Sequence, residues 1–138
     1  MSRENVEKLK EAYELLNNQF DALKGGDLEP LLAFFDPHVV IELVDFPDPE
    51  RYEGHEGVRK WFRDTFSIWR SVHVEAEEFI EIGDWTLVHL RSRLRGEASG
   101  VELEVPSTAT HQFRNGKIVH DRVYLDRAEA LEAAGLSE

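Results

Sequence analysis

An α+β fold, with helices laid against one face of a largely antiparallel sheet, follows from three features of the sequence. Apolar residues recur at spacings of three and four from the N-terminus to about Trp69. From Val72 onward they alternate every second position. An Asn115-Gly116 pair then joins two runs rich in β-branched and aromatic residues, the strongest short-range signal for a hairpin. Helices first and strands afterwards is the order of an α+β layer, because alternating units would instead predict a parallel sheet.

The first helix is predicted over residues 3 to 24, where Val6, Leu9, Tyr13, Leu16, Phe20 and Leu23 share one stripe and Gly25-Gly26 ends it. Asp27 is a natural N-cap for a second, short helix with Pro30 in its first turn and Leu28, Leu31, Leu32 and Phe35 facing inward. Asp36-Pro37 is expected to close that helix and start a strand from His38 to Val44. Two prolines and three acids from Asp45 to Glu50 predict an irregular loop. After Gly54 a third helix carries Val58, Trp61, Phe62, Thr65, Phe66 and Trp69 on a heavily aromatic inner face. The strands follow. Val72 to Ile82 turns at Gly83-Asp84 into Val88, Leu90, Ser92 and Leu94, which alternate with His89, Arg91, Arg93 and Arg95 on a polar face. Gly96 to Gly100 turns the chain into Val101 to Phe113, where Pro106 predicts a bulge or a local edge. Asp126-Arg127-Ala128-Glu129 fits a capping box for a short C-terminal helix stopped by Gly135.

Composition narrows the function. With 138 residues the chain suffices for one domain, 1–138, with its own core. It has no cysteine, so disulfide and thiol chemistry are excluded. Sixteen basic against 28 acidic residues give a net charge of −12, which repels nucleic acids and acidic membranes. A charged N-terminus and the lack of any long apolar run make a soluble cytoplasmic protein the default expectation. The six histidines show no recognised metal spacing, and neither a phosphate-binding glycine loop nor a nucleophile elbow is present. No cofactor or metal is therefore expected.

On the last strand Val119, Val123 and Leu125 alternate with His120, Arg122 and Tyr124. The apolar side must be buried, and Asp121 lies on it. A carboxylate there needs a partner, and buried carboxylates with partners are frequent among acid/base catalysts as well as among structural residues. Its neighbour depends on the turn. A three-residue loop with a G1 bulge pairs His111 with Val119, which leaves His111 diagonal to Asp121 on the buried face; a two-residue type I′ turn brings Thr110 and Gln112 there instead. The bulged loop is preferred because it continues the alternation of Val101, Leu103 and Val105. Asp45, two residues beyond Leu43, is a further candidate at the mouth of any cavity.

Several short motifs tie these elements together. Ala22-Leu23-Lys24-Gly25-Gly26-Asp27-Leu28, Phe35-Asp36-Pro37-His38-Val39, Tyr52-Glu53-Gly54-His55-Glu56-Gly57-Val58, Phe113-Arg114-Asn115-Gly116-Lys117 and Tyr124-Leu125-Asp126-Arg127-Ala128-Glu129 stand in the order of one family. The chain resembles the SnoaL-like, ketosteroid-isomerase-like branch of the nuclear-transport-factor-2-like superfamily. The resemblance implies a cystatin-like conical roll: three N-terminal helices on a strongly curved, mainly antiparallel sheet, with a short C-terminal helix. It also implies a homodimer packed through the sheet and a pocket for a small apolar or polycyclic molecule. Tyr13, Phe20, Leu43, Trp61, Phe62, Trp69 and Val123 are the expected pocket walls, with Asp121, His111 and Asp45 as catalytic candidates.

Carried over residue by residue, the resemblance is selective. The base and tyrosine of ketosteroid isomerase fall on Leu43 and Gln19, and its protonated aspartate falls near Ala109, so that route is absent. Asp121 matches the last-strand acid/base position of the cyclases. The epoxide hydrolases pair an Arg with an Asp on a neighbouring strand, and Arg91 and Arg93 lack that Asp. The expected function is isomerase, cyclase or dehydratase chemistry by general acid/base catalysis, with a non-catalytic binding or association module as the alternative.

Overall fold

The computed structural model describes residues 2–136. Helices α1 (Ser2–Asn18), α2 (Phe20–Lys24) and α3 (Glu29–Leu32) precede β1 (Phe35–Leu43), β2 (Glu50–Glu53) and α4 (Gly54–Phe66). Then come β3 (Trp69–Ile82), β4 (Trp85–Gly96), β5 (Glu102–Arg114), β6 (Lys117–Tyr124) and α5 (Arg127–Ala133). The six strands form one open sheet in the order β2-β1-β6-β5-β4-β3, antiparallel except where β1 runs parallel to β6. This is the expected α+β layer of helices on a mainly antiparallel sheet.

The first helix is not continuous. Asn17 turns its amide onto the backbone of Val74, donating to the carbonyl and accepting from the N–H at 2.8 Å each. That pins the end of α1 to the sheet edge, while Phe20 in α2 turns to meet Phe62 and Phe66 with ring centroids about 6 Å apart. Leu28 rather than Asp27 occupies the N-cap of α3, and no side chain caps it. Asp36-Pro37 lies inside β1, whose register with β6 slips between Phe35↔Ile118 and Val40↔His120 as four residues are passed over on one strand for one on the other.

Strand β2 was not anticipated. Its four residues pair with Val40 to Leu43, and α4 rests directly on it, since a side chain at Gly57 would stand 2.9 Å from the Tyr52 backbone. Trp69 belongs to β3 and not to the preceding helix. Pro106 sits in β5 beyond Thr108, the last residue that pairs with β6, so the strand is locally an edge and the missing N–H costs no ladder bond there. Asp126 caps α5 as expected, accepting from the amides of Ala128 and Glu129.

Helices α1 to α4 cover one face of the sheet, and the core lies between them around Leu9, Leu23, Val39, Ile41, Val58 and Val88, each at most 1% exposed. The other face carries α5. It buries Tyr124, which the alternation placed on the polar side. His89, also expected on that polar face, is 5% exposed, with Nδ1 3.0 Å from the hydroxyl of Thr108. Arg91 stays outside and bridges Glu77 and Glu104. No helix among the described residues is long and apolar enough to cross a membrane.

Candidate functional site

The last hairpin follows neither of the two registers its sequence suggested. Asn115 and Gly116 both take positive φ, 54° and 77°, so the loop is the two-residue kind, with Arg114 opposite Lys117. One step further in, pairing passes from Phe113↔Ile118 to Gln112↔His120, leaving Val119 as an extra, bulged residue. The bulge returns the strand to the other phase. It sets His111 directly opposite Asp121, not diagonal to it. Thr110 lies opposite Arg122 instead of joining Asp121, and Ile118, not Val119, is the buried aliphatic near the turn.

Asp121 is 6% exposed and His111 is 7% exposed. His111 Nδ1 stands 2.5 Å from Asp121 Oδ1, and Nε2 stands 2.7 Å from the hydroxyl of Tyr13 on α1. Burial, and then the nearby charge of Asp121, push the ionisation of Tyr13 well above the ordinary phenol value, so it keeps its O–H beside Nε2. A carboxylate only accepts, so Nδ1 carries a proton and donates to it. A buried carboxylate that would otherwise cost several kcal/mol is thus held by a charge-assisted bond. Oδ1 is its bonded oxygen; among the described residues the other has no hydrogen-bond partner.

These three side chains open on a cavity of about 240 Å³ between the helices and the concave face of the sheet. Apolar groups dominate its wall, including Leu43, Trp61, Phe66, Trp69, Leu90 and Val123. Thr65, Ser92 and Ser107 add hydroxyls. Of the expected wall residues, Tyr13, Leu43, Trp61, Trp69 and Val123 line it. Phe20 and Phe62 do not: they stack against each other and Phe66 behind the wall, 5% and 3% exposed, because helical spacing fixes a buried side but not what is buried there. Asp45 is not a wall residue either. Its two oxygens accept from the amides of Leu125 and Asp126 at 2.7 and 2.9 Å, tying the end of β1 to the end of β6. Phe66, Thr65 and Ser107 were missed as wall residues, though the inward phase of their elements contained them. Among the described residues no group of three or more His, Asp or Glu converges on a potential metal site.

Solved structures share this architecture along nearly the whole chain. An NTF2-like protein of unknown function from Burkholderia pseudomallei K96243 matches with a TM-score of 0.74 at 22% identity, over 94% of this chain and 95% of its own. TerC, crystallised with polyporic acid, matches with a TM-score of 0.73 at 18% identity, over 96% and 98%. A protein of ketosteroid-isomerase-like fold from Catenulispora acidiphila DSM 44928, in complex with trimethylamine, gives 0.67 at 19% identity, over 91% and 93%. At such identities the likeness establishes the fold alone. No curated protein matches the sequence. The family model of the SnoaL-like domain matches residues 16–121.

Proposed function

The chain belongs to the SnoaL-like domain family, and from that premise and the cavity's geometry we propose that it is an acid/base enzyme acting through its own side chains on a small, largely apolar molecule. The observation that carries the reading is the Tyr13–His111–Asp121 chain, whose carboxylate end opens on a largely apolar cavity. Asp121 is the base. Its second oxygen takes a proton from a substrate carbon or hydroxyl and returns it at another atom, so that an isomerisation, cyclisation or dehydration needs no net proton. His111 orients the carboxylate, and Tyr13 fixes the tautomer that makes this possible. The hydroxyls of Thr65, Ser92 and Ser107 are the donors at hand for an oxyanion that develops on the substrate. A volume below the roughly 300–1,000 Å³ of drug-sized pockets favours a small substrate over a polycyclic one. Relatives of the same fold crystallised with polyporic acid and with trimethylamine support a small-molecule role.

Asp121→Asn tests the assignment. In a screen of small neutral enones and terpenoids by thermal shift, followed by assay of each hit for conversion, the variant should keep the rise in Tm induced by these uncharged ligands and lose at least about 10²-fold in turnover. Unchanged turnover in Asp121→Asn removes Asp121 from the chemistry. A second reading, a binding module without chemistry, is favoured by one detail: both ring nitrogens of His111 are already engaged within the protein. Stabilisation by a ligand that is never converted decides for it. We further propose that the molecule forms a homodimer through the outer face of the sheet, where Arg91 and Glu104 are exposed; a monomer in sedimentation velocity excludes this.

A further inference from the structure

The cavity's charge is one-sided. Among the described residues no lysine or arginine lines it, and Asp121 is the one acidic side chain in its wall. A carboxylate or phosphate placed there meets a like charge in an apolar surround, where such repulsion is poorly screened. A cation meets the reverse. One oxygen of Asp121 is held by His111 and the other is left to a ligand. Trp61, Phe66, Trp69 and Phe46 line the same space, with Trp61 and Phe66 edge-to-face at 5.6 Å and 85°. Aromatic walls around a lone carboxylate are the chemistry that receives alkylammonium groups. The net charge of −12 also draws cations toward the protein as a whole.

Building on the reading of this cavity as a small-molecule site, we propose that its natural ligand carries a protonated or quaternary amine with small apolar substituents, seated between the Asp121 carboxylate and the aromatic wall. Ligands bearing a carboxylate or phosphate are excluded.

Three shape-matched probes separate the charge of the ligand from its shape: choline, the neutral 3,3-dimethylbutan-1-ol and the anionic 3,3-dimethylbutanoate. In isothermal titration calorimetry on the wild-type protein, choline should bind at least about tenfold tighter than the alcohol, and the carboxylate should not bind. Asp121→Asn should bring choline down to the affinity of the alcohol, whose own affinity stays unchanged. Trp61→Leu should weaken choline more than the alcohol. Equal binding of choline and the alcohol, or any binding of the carboxylate, overturns the amine assignment and leaves the small-molecule site standing. Failure of all three probes to bind overturns both. The wild-type comparison decides even if Asp121→Asn does not fold.

Discussion

At the scale of single residues, Tyr13 couples the helical layer to the strand that carries Asp121, through His111. It touches the Asp121 carboxylate only through the imidazole, so in the proposed chemistry its role is positioning. Tyr13→Phe should lower kcat by roughly 10–100-fold with KM nearly unchanged, while stability falls by only about 1 kcal/mol for one lost hydrogen bond. Turnover equal to wild type in steady-state kinetics reduces Tyr13 to a wall residue. Asp121 and His111 were legible as inward-facing polar residues because a strand alternates with period two, and a charged residue in the apolar phase stands out. Tyr13 was legible as part of the helix stripe. Its bond to a histidine 98 positions away was not, since nothing local encodes which residue a helix meets across a core.

At the scale of elements, the last hairpin shows how two small irregularities decide the site. The loop alone would have turned His111 away from Asp121; the bulged Val119 turns the strand back. Asn-Gly announced a turn, but a bulge three residues further on leaves no mark in composition, because any β-branched residue can occupy it. Gly116 takes φ 77°, a left-handed conformation that strains any residue with a Cβ, while its near neighbour Lys8 Nζ, 3.0 Å from where a Cβ would lie, is a flexible tip that can move aside. Gly116→Ala should cost about 1 kcal/mol and lower Tm by a few degrees, measured by thermal unfolding. Asp45 gives a contrasting case. Asp45→Ala loses two hydrogen bonds to backbone amides, so stability should fall by about 1–2 kcal/mol in urea titration while kcat holds. A loss of kcat without a loss of stability returns Asp45 to the chemistry. Strand β2 escaped notice because its four residues adjoin a proline-rich loop and are defined only by their partners in β1.

At the scale of the whole molecule, the layer order was legible because a change of period from 3.6 to 2 marks the passage from helices to sheet. Strand order was not, since pairing between distant segments is set by the closed core and not by neighbours in sequence. Global stability should show an alkaline limit with an identifiable source. Burial raises Tyr13, Tyr52 and Tyr124 above the ordinary value of 10.0, and for Tyr52 the adjoining Asp64 adds to burial to reach about 12. Above pH 10 the unfolded phenols release protons that the folded ones retain. The stability from these groups is therefore whole below pH 10 and is lost as pH rises toward the folded values. Thermal melts from about pH 8 to 11 should show Tm falling only on the alkaline side, and Tyr52→Phe should make that fall shallower. A flat Tm across the range contradicts the linkage. The position of β6 carries one more consequence. It lies between β1 and β5 in the sheet yet leaves the ribosome after both, so nascent chains stopping short of Tyr124 hold a sheet split in two, with two raw edges. Asp121 arrives with the strand that joins the halves, so the cavity wall is completed only once β6 has been made.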